Sequence, residues 1–252
     1  MNYEELQQQV LNVYKRELAQ EQKYDGQFEK LMEKYADIIY GKITRITKGK
    51  DITNTQLYGK DKLLLSFSNA FDSVLKDFYK ELNISGKLYQ ATQAINSDLR
   101  KSLNVDIPDD KDTVKKQVEG KNPIDNLTLS QRLQKSREEL YNKLMKIVVV
   151  NVAQKKPFYT MAEDIETAIR SLFWANGRVM ATEMNRVLNE NLVSIYISLG
   201  IKNVMFSAIL DSRTSWVCSL NHEKVFPISE LITGVNQPPL HPHCRSILLP
   251  CP

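Results

Sequence analysis

The chain has 252 residues, of which 42% are hydrophobic and 25% charged, and this composition excludes a disordered tail or a fibre and allows one or two globular domains. The formal net charge of +4 is mild and spread along the chain, so it permits contact with nucleic acid without arguing for it. The longest apolar stretch lies within residues 147–153, far short of the roughly 18 residues that a membrane span needs. Residues 1–9 are polar and acidic, so we expect no signal peptide and folding in the cytosol.

The first hundred residues predict a helical body. Apolar side chains recur at three- and four-residue spacing over residues 3–19 and 28–46, which predicts two amphipathic helices. The strongest stripe follows between residues 63 and 82: Leu63, Leu64, Phe67, Phe71, Val74, Leu75, Phe78 and Leu82. Charges of both signs occupy the opposite face, so we interpret the stripe as core packing rather than a membrane-surface helix.

Residues 105–126 form the clearest break in the pattern. Pro108, Gly120 and Pro123 interrupt a polar stretch with few apolar residues. We therefore predict a helical N-terminal domain over residues 1–104, a linker or long loop over 105–126, and a second domain over 127–252.

The second domain is predicted to start with helices and end with a small sheet. Helical periodicity resumes at Leu127, a capping box at Thr160 predicts a new helix start, and a further helix is expected from about Ala175 to Leu199. Gly200 is the predicted C-cap of these helices over residues 127–200. Short β-branched and aromatic runs at 203–210, 224–226 and 246–249 predict strands within the tail, residues 201–252. The predicted fold class is α+β, mainly α.

All three cysteines and all three histidines lie between positions 218 and 251, and the preceding 217 residues contain neither. An odd, small number of cysteines in a long chain argues against a disulfide framework. Cys218 and the close pair His241 and Cys244 are zinc-ligand types, and such pairs allow a metal to pin a segment with little core. The alternative is that the cysteines are small buried hydrophobes and the histidines are solvated or hydrogen-bonded. The sequence leaves both interpretations open.

The tail also resembles a known family. Its residues read Asp211-x-Arg213-Thr214-x-x-x-Cys218, then a phenylalanine, then Pro239-x-His241-Pro242-x-Cys244-Arg245 near the end of the chain. This pattern resembles the head-morphogenesis proteins typified by protein F of phage Mu. Upstream, Thr182-Glu183 and the run from Leu129 to Leu133 resemble the family's Thr-Glu pair and opening helix, so the resemblance covers about residues 127–252. The expected structural motif is Thr182, Glu183, Asp211, Arg213, Thr214, Cys218, Pro239, His241, Cys244 and Arg245.

The resemblance implies a minor head protein of a tailed phage or prophage. Such a protein is made in the host cytoplasm, resides in the virion head, and has the portal and capsid proteins as partners, with packaged double-stranded DNA as a further contact and no membrane. It implies a structural protein rather than an enzyme.

The tail departs from the family pattern at two positions. Ser215 and Ser246 stand where family members often carry further cysteines. A metal at Cys218, His241 and Cys244 would then need a substitute ligand, for which His222 is the candidate, with His243 and Cys251 as others. Without a metal, Asp211 is expected to pair with Arg213 or Arg245, and Thr214 to cap the turn that leads to Cys218.

Two other functions are weighed against the structural one. Thr214, Asp211, His241, His243 and Arg245 are residue types that can cleave a phosphodiester, although no motif identifies a nucleophile. A DNA-binding face is the second alternative, and its residues would be Lys115, Lys116, Lys121 and Arg132, with Lys135 and Arg137 beside them; an ordinary solvated face explains the same charges. Trp216 is expected to pack beneath the tail rather than to stack on a base.

Overall fold

Seven α-helices, three β-strands and one 3-10 turn form the part of the chain that the structure describes. The computed structural model describes residues 2–48, 60–106 and 111–252, apart from the side chains at positions 60 and 172–174. The helices are α1 (Tyr3–Thr47), α2 (Lys60–Leu82), α3 (Ile84–Leu103), α4 (Lys111–Glu119), α5 (Leu129–Ala153), α6 (Phe158–Ser198) and α7 (Trp216–Asn221). The strands are β1 (Asn203–Ala208), β2 (Val225–Pro227) and β3 (Ser246–Cys251), and the 3-10 turn is Ile228–Glu230. The predicted α+β, mainly α class with a small C-terminal sheet is confirmed.

Two pairs of predicted helices are each a single helix. The predicted helices over 3–19 and 28–46 are both part of α1, which has 45 residues. Only Gly26 weakens helix formation between them, and one glycine without a proline costs about 1 kcal/mol, too little to end a helix. Likewise α6 runs unbroken for 41 residues from Phe158. Thr160 is therefore inside its first turn and is not an N-cap.

The segment predicted as a linker contains a short helix. α4 has nine residues, and its Val114 and Val118 are buried. After it, the Asn122 amide donates to the carbonyl of Leu127 at 2.9 Å, and a β-bridge joins Lys121 to Thr128. Residues 107–110, with Pro108, lie outside the described residues. The three-part division at 104 and 126 stays a prediction.

By its internal contacts the chain divides into two units. The first comprises Met1–Tyr24, Ile84–Ser130 and Arg178–Pro252, and the second Asp25–Asn83 and Gln131–Gly177. In the second unit the stripe predicted on α2 is buried from Phe67 onward, which confirms its interpretation as core. There the Tyr35 and Phe78 rings meet edge to face with their centroids 5.3 Å apart.

The first unit contains the small sheet. The sheet is antiparallel with the order β2-β1-β3, and the register places Val204 opposite Phe226 and Pro250. Every residue of β3 is buried, whereas β1 alternates between buried and half-buried positions. A hydrophobic cluster joins the sheet to α1, α3 and α6 through side chains such as Val10, Leu99 and Leu188.

Gly200 ends the long helix α6, as predicted. Its φ of +72° is in the left-handed region that glycine adopts without steric cost. The amide of Ile201 then donates to the carbonyl of Tyr196 at 2.9 Å, which satisfies a carbonyl of the last turn. The chain is thereby turned directly into β1.

None of the helices in the described ranges combines the length and the apolar character required to cross a bilayer.

Candidate functional site

A tight turn follows β1 and begins the motif of the tail. Asp211 Oδ1 accepts a hydrogen bond from the amide of Arg213 at 2.8 Å, and the Thr214 hydroxyl donates to the carbonyl of Ile209 at 2.6 Å. The same hydroxyl accepts from the amide of Asp211 at 2.7 Å. These are the local side-chain to backbone bonds that Asp and Thr make in turns. Asp211 and Thr214 therefore hold the turn closed.

The N-cap of α7 is Ser215 and not Thr214. The Ser215 hydroxyl accepts a hydrogen bond from the amide of Cys218 at 3.2 Å, in the normal N-cap arrangement. The prediction that Thr214 caps this turn was wrong, because its hydroxyl is already used within the preceding turn. α7 begins one residue later than the sequence suggested.

Arg245 ties the end of the tail to this turn. Its Nη1 and Nη2 donate to the two carboxylate oxygens of Asp211 at 2.8 and 2.5 Å. The Arg245 side chain is 12% exposed, whereas Arg213 is 70% exposed and its Nε lies 4.0 Å from the carboxylate. Of the two partners that the sequence left open, Arg245 makes the bidentate pair. Its hydrogen bonds, followed by that from the amide of Arg213, hold the pKa of Asp211 well below its ordinary value.

Cys218, His241 and Cys244 converge beneath α7. Their ligand atoms all lie within 4.8 Å of one another. Cys218 Sγ is 3.6 Å from Cys244 Sγ and 3.1 Å from His241 Nε2. Both cysteines are 3% exposed and both are free thiols. The three predicted ligands that the sequence separates by up to 26 residues therefore form one cluster.

The imidazole of His241 is oriented toward the two sulfurs. Its Nδ1 lies 2.9 Å from the carbonyl oxygen of Pro242, an acceptor, so Nδ1 carries a proton and donates to it. Its Nε2 faces Cys218 and also lies 2.7 Å from the Ser215 hydroxyl. Metal-binding histidines are usually oriented by such a bond at the nitrogen that does not bind the metal.

The cluster polarises its own thiols. Hydrogen bonds lower the pKa of Cys218, the strongest coming from Cys244, with His241, Ser215 and Ser246 contributing. The same bond to Cys218, together with burial, raises the pKa of Cys244. The hydrogen bond to Cys218 also raises the pKa of His241. The two thiols and the imidazole therefore titrate as one group, and of the two sulfurs Cys218 Sγ is the one in contact with His241 Nε2.

The other candidate ligands are engaged elsewhere. His222 Nδ1 accepts from the amide of Ala208 at 3.2 Å, so the predicted fourth ligand lies outside the cluster. His243 Nε2 lies 3.1 Å from a carboxylate oxygen of Glu21 on α1. Cys251 is buried in β3, opposite Asn203, and Pro239 is buried in the loop before the cluster. Sequence spacing alone does not distinguish these residues from the three that converge.

The upstream Thr-Glu pair contacts the tail on one side and a buried network on the other. The Thr182 hydroxyl accepts a hydrogen bond from the amide of His243 at 2.8 Å and so supports a residue held at a φ of +61°. Glu183 is 2% exposed and accepts from Arg186 Nε at 2.8 Å and from Asn122 Nδ2 at 2.9 Å. Thr182 therefore holds the tail from the side of α6, whereas Glu183 belongs to the buried network.

Sequence reasoning missed the asparagines that hold β3. Asn185 donates to the carbonyl of Ser246 at 2.9 Å, and Asn189 accepts from the amide of Leu248 at 3.0 Å. The Tyr196 hydroxyl donates to the carbonyl of Leu248 at 3.0 Å. These side chains bond to β3 backbone groups as a neighbouring strand would. The available signal was two asparagines at a spacing of four, which places both on one face of the helix.

Tyr14 on α1 gives the tail a further anchor. Its hydroxyl donates to the carbonyl of Arg245 at 2.7 Å, and burial is the main reason that its pKa is raised. Three bonded side chains from two helices, Tyr14, Thr182 and Asn185, thus hold the backbone between His243 and Ser246.

The predicted basic face belongs to two parts of the chain. Lys115, Lys116 and Lys121 are exposed in the first unit, where Lys115 lies 3.9 Å from Glu119, and Arg132 belongs to the second unit. The exposure of these lysines is compatible both with a DNA contact and with an ordinary solvated face.

The expectation that Trp216 packs beneath the tail was wrong. Trp216 is 74% exposed, because Cys218 takes the inward position of α7.

The fold and site define a mainly helical protein with a small C-terminal sheet, whose tail is fastened by a bidentate ion pair and a Cys/His cluster. Residues 160–249 match the family model described as phage Mu protein F like protein. This segment contains Thr182, Glu183 and the whole Asp211–Arg245 motif, so the resemblance is confirmed over these residues. Comparisons with curated proteins and with solved structures found no match.

Proposed function

We propose that this chain is a minor head protein that takes part in head morphogenesis of a tailed phage or prophage, resides in the virion head and contacts the portal and inner capsid. The observation that carries the proposal is the match of residues 160–249 to the phage Mu protein F-like family. The matched residues act as a scaffold in this chain: Asp211 pairs with Arg245, and Thr182 holds the amide of His243. Such contacts hold the tail in place, and none of them leaves a group directed at a substrate.

The geometry favours this role over phosphodiester cleavage. The cavity beside His241, His243 and Arg245 has a volume of about 10 Å³, whereas small-molecule sites usually measure roughly 300–1,000 Å³. His243 Nε2 is occupied by Glu21, and Arg245 is committed to Asp211. The proposed enzyme residues therefore all have structural partners, which supports a non-enzymatic role.

The direct test is the composition of particles of the phage or prophage that encodes the chain. Quantitative mass spectrometry of purified particles and proheads should give a reproducible ratio of a few copies per portal ring. The variant Arg245→Met should lower incorporation because it releases the tail, whereas the control Arg213→Met removes an exposed arginine and should not. Absence of the wild-type chain from both particles and proheads would refute the proposal.

Contact with packaged DNA through Lys115, Lys116 and Lys121 of the first unit, and separately through Arg132 of the second, stays a prediction within this role. Its test is the salt dependence of DNA binding, because each phosphate contact steepens the fall of the binding constant with salt. Replacing the three exposed lysines by glutamine should flatten that dependence. A salt response that is flat for the wild-type chain removes DNA from the partners.

We also propose Zn²⁺ as the ion that the Cys218–His241–Cys244 cluster binds. Two thiolates and one imidazole are zinc ligands, and His241 already donates its Nδ1 proton to a backbone carbonyl. The two thiolates would neutralise the charge of the ion, which suits a site with both cysteines buried. Zinc would fasten α7 to the loop before β3, and the head role does not depend on it.

A further inference from the structure

The distances within the cluster fit a tetrahedral ion with three protein ligands. Bond lengths of about 2.3 Å for zinc to sulfur and about 2.0–2.1 Å for zinc to nitrogen place two sulfurs about 3.8 Å apart and a sulfur and a nitrogen about 3.5 Å apart at tetrahedral angles. Cys218 Sγ lies 3.6 Å from Cys244 Sγ and 3.1 Å from His241 Nε2. Shifts of a few tenths of an ångström therefore bring these two pairs to the spacing of a zinc site, and the third pair, Cys244 Sγ and His241 Nε2, lies within 4.8 Å.

No residue of the described chain supplies the fourth corner. The cluster of potential ligand atoms there contains Cys218, His241 and Cys244 and nothing more. His222 accepts from the amide of Ala208 and His243 lies against Glu21, so neither imidazole is available without breaking a contact. Structural zinc sites are normally closed by four protein ligands, whereas three ligands leave a position for an exogenous one.

A small cavity lies on one side of the cluster. It has a volume of about 10 Å³, close to the roughly 10–15 Å³ that one water molecule needs. Cys218 and His241 border it, together with the hydroxyl-bearing Thr214, Ser215 and Ser246, whereas Cys244 does not. The lining is thus polar and next to two of the three ligands, as a bound water or anion requires.

We propose that the zinc site keeps its fourth position open, on the side of Ser215, for water or a small anion. The inference rests on the proposed zinc site and deepens it. Ser215 occupies the place from which a fourth protein ligand would come: its Oγ lies 2.7 Å from His241 Nε2 and accepts from the amide of Cys218. A hydroxyl there hydrogen-bonds to a bound water, whereas a thiolate at the same position would close the site.

The experiment uses the reduced full-length chain with Co²⁺ as a spectroscopic substitute for zinc. One Co²⁺ per chain should bind with sulfur charge-transfer absorption, and adding azide or imidazole should shift the d–d bands as the exogenous ligand is exchanged. Cys218→Ser should abolish the sulfur-ligated spectrum. Cys251→Ser is the matched control, since it removes a buried cysteine outside the cluster and should leave the stoichiometry unchanged.

The variant Ser215→Cys tests the open position by supplying a fourth protein ligand. It should tighten Zn²⁺ binding by an order of magnitude and remove the response to azide, because the new thiolate fills the fourth corner. If this variant fails to fold, the change in the Co²⁺ spectrum of the wild-type chain on adding azide or imidazole decides whether the fourth position is open.

Each outcome separates the two proposals. Failure of the wild-type chain to bind one Co²⁺ or Zn²⁺ overturns the zinc site, and the open position with it. One bound Co²⁺ whose spectrum ignores both azide and imidazole overturns the open position alone and leaves the zinc site standing. A shifted spectrum in the wild-type chain and an unresponsive one in Ser215→Cys support both.

Discussion

Arg186 on α6 is a buried cation of the first unit with several charged and polar partners. Arg186 is 3% exposed. Its guanidinium donates to Glu183 at 2.8 Å and to both carboxylate oxygens of Glu190 at 3.0 and 2.8 Å. It also donates to the carbonyl of Gln117 at 2.6 Å. The substitution Arg186→Met keeps the apolar stem and removes all of these donors. It leaves the carboxylate of Glu183, 2% exposed, without its cation.

Breaking a buried ion pair by removing one partner costs about 3–5 kcal/mol, because the remaining charge is not solvated. This is a large part of the roughly 5–15 kcal/mol by which folded proteins are stable. At a urea slope of about 2 kcal/mol per molar, the midpoint of unfolding should fall by about 2 M. Adding Glu183→Gln should recover part of the loss, since the glutamine is neutral and its oxygen still accepts from Asn122.

Urea unfolding followed by far-ultraviolet circular dichroism measures the change, and hydrogen exchange over residues 178–198 locates it. The matched control is Arg16→Met in the same unit, where the side chain is 49% exposed and pairs with Asp98 at 2.8 Å. An exposed pair contributes about 0–1 kcal/mol, so the control should shift the midpoint little. Equal shifts of the urea midpoint for Arg186→Met and Arg16→Met would refute the argument that burial determines how much stability is lost when an ion pair is broken.

Three further predictions concern the helices and turn around the tail. Asp211→Asn should lower the melting temperature at pH 7 and matter less as the pH falls below 3.8, because the pKa of Asp211 is depressed and its contribution is lost only on protonation; a pH-independent difference between variant and wild type would contradict this. Glu17 has a raised pKa because both its oxygens are buried without a hydrogen-bond partner and Glu21 is near. Glu17→Gln should therefore stabilise the protein increasingly as the pH rises above 4.5, with a limiting slope of about 1.4 kcal/mol per pH unit, and urea unfolding between pH 5 and 8 checks whether this difference grows. Ser215→Ala removes the N-cap of α7 and should cost about 0.5–2 kcal/mol in thermal or urea unfolding, whereas Ser215→Asp, which can still cap, should cost less.

The sequence predicted the elements whose signals are local. Helical periodicity located α2 and its buried stripe, Gly200 marked the end of α6, and short β-branched runs located all three strands. Each of these follows from the preference of a few neighbouring residues for one backbone conformation and one buried face. The break inside α1 was wrongly predicted, because polar helix formers conceal a helix that apolar spacing alone does not reveal. The break inside α6 was wrongly predicted although Ile165 and Ile169 continue the apolar pattern toward Ala175.

The candidate site was predictable in composition and not in geometry. Clustering in the sequence singled out the Cys/His tail, and its pattern brought the family resemblance, which residues 160–249 confirm. The sequence by itself thus determined which residues form the tail and which family it resembles. Only the tertiary structure decided that Arg245 rather than Arg213 binds Asp211, that His222 lies outside the cluster, and that Asn189 supports β3. These choices depend on how α1, α6 and the sheet bring together residues from distant parts of the chain, and no local preference encodes those distances.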